Sequence, residues 1–450
     1  MIKLLHLSDI HLGSGFAHGY TNPETGLNTR FEDFVSSLRQ CIDRAIADDV
    51  DLVLFGGDAF PDATPPPLVQ EAFAREFRRL VDVGIPTVML VGNHDQYAQG
   101  QGGASLCIYR TLGVPSVIVG DRLTTHRIDT ASGPVQVLTL PWLNRSTLLT
   151  RPETEGLSMV EINELLLSRL RVALEGEIRK LDPHCPTVLL AHLMADTASF
   201  GAERFLAVGK GFTVPMALLC RPCFDYVALG HVHRHQILND QPPIVYPGSI
   251  ERVDFSEESE EKGFVRVNLE QGHAEVEFCP LEVRPFRTLR VNVTEVEDAQ
   301  QVLLEKVRSS DIEDAVVRLI YQIRPHQLDA LNMAELQEAL AIAHTATIHP
   351  ELVSQLARPR LPELGLGQGL EPLDALKTYL EHRSDLTDLS TDLLTAAQAL
   401  MADDAVDLAF NSATHESKEG DPQPASLYAD EATPERRSAC ESTAQQLRLI

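Results

Sequence analysis

Thr87-Val88-Met89-Leu90-Val91-Gly92-Asn93-His94-Asp95 is an apolar run that ends abruptly in a glycine and three polar residues. A short apolar run closed by a turn signal reads as a buried strand. The same change of character recurs along the chain. Ile2–Leu7 is followed by Asp9-Ile10-His11, and Leu52–Phe55 by Gly56-Gly57-Asp58. Thr187–Ala191 runs into His192, and Tyr226–Leu229 into Gly230-His231-Val232-His233. Between the first strands, Phe31, Phe34, Val35, Leu38, Ile42 and Ile46 fall at helical spacing, as do Leu68, Ala72, Phe73, Phe77, Leu80 and Val81. Strands alternating with helices predict an α/β fold, in which strand ends converge on one edge and form the site.

The chain has 450 residues, room for about two to three domains. With 44% hydrophobic and 23% charged residues it is neither disordered throughout nor fibrous. Lys and Arg total 38 against 65 Asp and Glu, so the net charge is −27. A protein that holds DNA by its own surface alone would be basic, so a nucleic-acid role here requires metal ions, a local basic strip or a basic partner. Arg30, Arg252, Arg266 and Arg287 are candidate phosphate contacts. No apolar run reaches the roughly 18 residues of a membrane span, and the N-terminus meets Asp9 and His11 too soon for a signal peptide. Seven scattered cysteines fit a reducing compartment, and Cys220-x-x-Cys223 has no second pair for a zinc site, so it is read as two semi-buried thiols.

Further strands are expected at Val135–Leu140, Ile244–Tyr246 and Phe264–Asn268, completing a first domain over 1–281. A second, over 284–350, alternates strands (Thr288–Val293, Val316–Gln322) with helices (Asp298–Val307, Ala334–Ala343). A Pro/Gly-rich stretch from Arg358 to Pro372 leads to two helical segments, Leu373–His382 and Leu389–Met401, within 370–403. The last stretch, 411–450, is rich in Ser, Thr, Glu, Pro and Gln and reads as disordered.

The polar strand ends together offer Asp9, His11, Asp58, Asn93, His192, His231 and His233, with His94 in addition. Carboxylate, amide and imidazole without thiolate suit two borderline-hard ions such as Mn²⁺, Fe²⁺ or Zn²⁺. Residues i and i+2 of an extended strand point the same way, so Asp9 and His11 can share an ion and His231 and His233 leave one side together. Asp58 can bridge two ions. Two divalent cations less two carboxylates leave about +2 to hold a phosphodiester. His94 can then protonate the leaving oxygen, with Asp95 orienting it. His6 lies within the first strand and reads as core, and His235 as a solvated loop residue.

The ordered fragments Asp9/His11, Gly57-Asp58, Gly92-Asn93-His94-Asp95, His192 and Gly230-His231-Val232-His233 resemble the calcineurin-like metallophosphoesterase superfamily. His6-Leu7-Ser8-Asp9-Ile10-His11-Leu12-Gly13, Asp225–His231, and Tyr246-Pro247-Gly248-Ser249 with Phe255, Glu257 and Lys262-Gly263 narrow this to the SbcD-type nuclease subunits. The resemblance covers about residues 1–345 and extends through the helices to about 403. It implies a two-sheet sandwich flanked by helices, with a small α+β capping domain that guides DNA and C-terminal helices that dock on an SbcC-type coiled-coil ATPase. It implies one manganese ion on Asp9, His11, Asp58 and His233, and another on Asp58, Asn93, His192 and His231. His94 would be the general acid. Relatives often carry a polar residue three positions past the aspartate, where this chain has Pro61. A homodimer within a heterotetramer, a cytoplasmic, nucleoid-associated setting and a role in DNA repair and recombination are further implications. Two other readings share the fragments: a small-substrate phosphodiesterase or phosphomonoesterase, and a non-enzymatic scaffold. The extra small domain favours the nuclease over the first, and the intact donor set argues against the second.

Overall fold

In the computed structural model, described over residues 1–97, 103–143, 154–199, 213–353, 372–381 and 389–401, the strands follow in this order. They are β1 (Ile2–Leu7), β2 (Leu52–Phe55), β3 (Thr87–Leu90), β4 (Val117–Gly120), β5 (Thr124–Thr130), β6 (Gly133–Leu140), β7 (Thr187–His192), β8 (Met194–Ala195) and β9 (Thr213–Val214). Next come β10 (Tyr226–Gly230), β11 (Gln236–Asp240), β12 (Pro243–Tyr246), β13 (Gly263–Glu270), β14 (His273–Pro280), β15 (Phe286–Asn292), β16 (Val316–Ile323) and β17 (Thr345–Leu352). One six-stranded sheet has the order β14-β13-β1-β2-β3-β4, and a second β11-β12-β10-β7-β6-β5. Strands β1 to β4 run parallel, as do β12, β10, β7 and β6, and antiparallel strands lie outside them.

The two sheets pack face to face. Alternation along β1 shows how: Leu4 enters the layer between the sheets, while Leu5 and Leu7 face the helices. Leu54, Val88 and Leu90 meet Val137, Val188, Leu190 and Ala228 in the middle layer. Helices Thr29–Ala47 and Pro67–Asp82 cover the first sheet through Phe34, Leu38, Phe73 and Phe77. Helix Met159–Ile178 covers the second through Ile162, Leu166, Leu170 and Leu174. The chain is thus an α/β two-sheet sandwich flanked by helices.

Residues from 286 to 352 supply a further sheet, β15-β16-β17, in which β15 and β16 are parallel, with helices Ala299–Arg308 and Met333–Ala339. Residues 1–322 and 330–351 form one compact unit, so this separate sheet belongs to the same unit as the sandwich. The junction is polar and specific. The Arg284 guanidinium bridges Asp33 of the first long helix and Asp314, and buried Arg30 sits against Phe34 and Phe286. A second unit holds 323–329 and residues from 352 onward, and within it helices Pro372–Glu381 and Ser390–Met401 pack on one another. Most of the expected linker and the whole 411–450 tail lie outside the described residues.

Edge strands β4, β5, β11, β14 and β17 and the helix Met159–Ile178 were not anticipated from the sequence. The four candidate phosphate arginines are engaged within the protein. Arg30 is buried between Asp33 and Glu251, and Arg252 donates to the carbonyls of Glu257, Glu260 and Arg284. Arg266 bridges Asp48 and Glu277, and Arg287 lies 4.0 Å from Asp311. Cys220 is exposed and Cys223 half-buried. No helix among the described residues is long and apolar enough to cross a membrane.

Candidate metal centre

The predicted donors converge where the strands of both sheets end. The convergence depends on two glycines: a Cβ at Gly230, at the end of β10, would lie 2.2 Å from the Gly56 carbonyl oxygen just past β2. Only bare backbone permits that approach, and it brings the donors after β1, β2 and β3 against those after β7 and β10.

The local backbone is unusual. Asp9, His11, Asp58 and His231 all have positive φ, at 52°, 45°, 57° and 105°. Non-glycine residues in this region are strained, and such strain concentrates at functional sites. This corrects the expectation of an extended Asp9-x-His11: β1 ends at Leu7, and the two side chains are aimed by left-handed turns. Those turns are pinned by Asp9 N–H donating to Gly57 O and His11 N–H to Asp58 O, both at 3.0 Å. The His231 N–H in turn donates to the Asp9 carboxylate at 3.0 Å.

Among the described residues, three groups of donors form. Asp9, His11 and His233 lie together, as do Asp58, His192 and His231, and His11 and Asp58 also group with His94. Asn93 Oδ1 is 2.9 Å from both His192 Nε2 and His231 Nδ1. The Asp58 carboxylate stands between the groups, with Oδ2 at 3.3 Å from His192 Nε2 and 3.8 Å from His11 Nε2. His11 and His233 meet Nε2 to Nε2 at 3.0 Å. All seven predicted ligand residues are therefore brought to one place, Asp58 central.

The arrangement fits cations. His192 Nδ1 donates to Gly56 O at 2.7 Å, and His233 Nδ1 to Glu257 Oε1 at 2.7 Å, which turns the Nε2 of each ring inward. This is how histidine is presented to a metal. Donor atoms at 2.1 Å from one ion, at right angles, stand about 3 Å apart, the spacing found around Asn93 and between His11 and His233.

Electrostatics agree. Burial opposes ionisation of Asp58, yet the surrounding imidazoles, His192 foremost, hold its carboxyl well below the usual carboxylate range. Burial opposes protonation of His192, but Asp58 and then Asp9 push it up to about 9. Negative potential that retains an extra proton on a buried imidazole also favours a cation. His231 is instead lowered to about 3 by burial and by His192. The only tryptophan, Trp142, packs over the His231 ring with centroids 4.8 Å apart.

His94 is half-buried beside His11, ring centroids 4.9 Å apart. Its Nδ1 donates to the Pro61 carbonyl at 2.7 Å, and its N–H to Asp58 Oδ1 at 2.8 Å. Asp95 was expected to orient His94, and here the structure corrects the sequence reading. The Asp95 carboxylate turns the other way and accepts the backbone N–H groups of Asp58, Ala59 and Gly92 at 2.9 to 3.0 Å. It ties the loop after β2 to the loop after β3, and Pro61 does the orienting. Burial and the Asp58 charge push the Asp95 carboxyl up to about 7 despite those donors. His6 is core as expected, with Nδ1 2.9 Å from the Tyr226 hydroxyl. His235 is not a solvated loop residue; it stacks on Phe278 at 4.1 Å and bonds Tyr246 O. Glu257, which accepts from His233 Nδ1, stands in the sequence only as part of the stretch with Phe255 and Lys262-Gly263.

Residues 2–235 match the calcineurin-like phosphoesterase family model. The chain is similar to the SbcD subunit of the SbcCD nuclease of Escherichia coli strain K12, with 26% identity over 392 residues, 83% of this chain and 94% of that protein. Its counterpart from Escherichia coli O157:H7 matches to the same extent. Among solved structures, a dimetal phosphatase from Danio rerio aligns over 62% of this chain and 95% of its own, at 13% identity and a TM-score of 0.39. With its donor fragments in family order and the match spanning more than half its length, the chain belongs to the calcineurin-like phosphoesterase family, of the SbcD type.

Proposed function

We propose that this chain is the nuclease subunit of an SbcC-type ATPase complex, hydrolysing DNA phosphodiester bonds with two divalent ions, manganese being the expected metal. The observation that carries the reading is the convergence of seven O- and N-donor residues, Asp58 central among them, at the joined edges of the two sheets. Asp9, His11, Asp58 and His233 would hold one ion, and Asp58, Asn93, His192 and His231 the other. Bound there, such ions supply Lewis acidity and lower the pKa of the attacking water.

The chain's own residues do the rest. Asp58 keeps the two ligand groups in register, and Asp95 fixes Asp58 by holding its backbone N–H. Pro61 keeps the proton of His94 on Nδ1, which leaves Nε2 to carry a second proton to the leaving 3′ oxygen. Residues 284–350, joined to the sandwich through Arg30 and Arg284, would guide the duplex. The two helices within 370–403 are of a size to dock on a coiled coil, and that partner would offset the −27 charge that repels DNA. A homodimer within a heterotetramer, acting in repair in the cytoplasm near the nucleoid, completes the reading.

The test is degradation of linear duplex and hairpin DNA, with Mn²⁺ and Mg²⁺ compared, with and without the ATPase partner. Manganese-dependent cleavage enhanced by the partner is expected. Hydrolysis confined to small phosphate esters under every condition would refute the nuclease reading.

A further inference from the structure

We propose that Glu257 is the positioning residue for His233: it fixes which ring nitrogen carries the proton and aims the other at the ion shared with Asp9 and His11, while Lys262 holds Glu257 in place. The inference rests on His233 being a ligand. It also gives a task to Tyr246-Pro247-Gly248-Ser249, Phe255, Glu257 and Lys262-Gly263, which the sequence singles out and the hydrolytic step leaves unused.

This segment wraps around His233. Glu257 Oε1 accepts from His233 Nδ1 at 2.7 Å, and Oε2 is ion-paired with Lys262 Nζ at 2.8 Å and accepts the Val253 N–H at 3.1 Å. Lys262 is buried and also donates to Ser249 Oγ, to Glu260 Oε2 and to the His233 carbonyl, which receives the Ser249 N–H as well. Gly248, at φ +84°, makes room for this: a Cβ there would lie 2.7 Å from the His233 carbonyl oxygen. Phe255 anchors the far side against Phe286 of β15.

An ionised carboxylate can only accept. Glu257 therefore requires the proton on Nδ1 and reserves the Nε2 lone pair, which faces His11. A buried Glu–Lys pair is a poor way to fill space, since apolar groups of like volume serve stability as well or better. Its placement on the ring nitrogen opposite the donor atom explains its use. Glu260 provides the control: it pairs with the same Lys262 at 2.8 Å, whereas the imidazole contact is made by Glu257.

The experiment titrates Mn²⁺ into the full-length chain, following free and spin-coupled Mn²⁺ by electron paramagnetic resonance, with melting in parallel. Removing such a partner weakens metal affinity about 10- to 100-fold. Glu257→Gln should lose that much at one of two sites and lose the coupled signal, while Glu260→Gln binds like the parent. Equal weakening by both variants would trace the effect to Lys262 and the loop, and would overturn the proposal. Parental affinity in Glu257→Gln, with one site lost in His233→Ala, would also overturn it. Two intact sites in His233→Ala would instead sink the ligand assignment beneath it. Should Glu257→Gln misfold, the double variant Glu257→Gln/Lys262→Met removes both charges together and should fold, with the same weak site; parental affinity there overturns the proposal equally.

Discussion

Gly92→Ala should disable the centre without touching a donor. The φ of Gly92 is outside the left-handed region, so alanine strains nothing in its own backbone. Its Cβ, however, would lie 2.2 Å from Asp58 Oδ1, 2.5 Å from Asp58 N and 2.8 Å from Asp58 Cγ. Non-bonded heavy atoms settle at about 3.5 Å, so the Asp58 carboxylate must move by roughly 1 Å. It has nowhere to go: Oδ1 accepts the His94 N–H, Oδ2 faces His192 and His11, and the Asp58 N–H is held by Asp95. Overpacking of this kind costs about 1–3 kcal/mol of stability, and a displacement of about 1 Å at a reacting centre costs about 10²-fold in rate. The assay is Mn²⁺-dependent hydrolysis of a bis-aryl phosphodiester, with metal content and melting measured alongside. A folded variant with the parent's turnover and both ions would refute the claim that Asp58 is the pivot of the site.

His94→Ala should keep its metals and lose about 10²–10⁴-fold on DNA, but far less on an aryl diester whose leaving group needs no proton; equal losses would mean that His94 only positions the phosphate. Arg30→Ala should destabilise by about 3–5 kcal/mol, because Asp33 and Glu251 lose a buried partner; an unchanged melting temperature would contradict this. Gly176→Ala lies in helix Met159–Ile178 with nothing within 4 Å of the added Cβ, so it should stabilise by about 0.5–1 kcal/mol, read as a higher midpoint in urea.

What the sequence made legible follows from physics. Strands β1, β2, β3, β7 and β10 are buried on both faces and read as apolar runs, and their ends must carry rare donor types to do chemistry at all. The edge strands did not read so plainly: β5 (Thr-Thr-His-Arg-Ile-Asp-Thr) and β11 (Gln-Ile-Leu-Asn-Asp) face solvent and carry mixed residues. Helix Met159–Ile178 was missed although Ser158 and Glu161 form a capping box at its start, a signal present in the sequence. Direction was the hardest property. Asp95 adjoins His94 in the chain, yet its carboxylate turns to three backbone N–H groups. Arg30 opens an amphipathic helix, where a cation is expected outside, yet it faces inward, against Glu251 and against Phe286 of the small sheet. The Gly56–Gly230 contact joins residues 174 apart and leaves no periodic trace.

The central claim is that two ions share Asp58. Anomalous diffraction at the manganese edge from crystals of the chain grown with Mn²⁺ tests it most directly. Two peaks about 3.5–4 Å apart, one beside Asp9, His11 and His233 and the other beside Asn93, His192 and His231, with the Asp58 carboxylate between them, are the predicted result. A single peak, or peaks away from these residues in crystals of protein that cleaves DNA, would contradict the account.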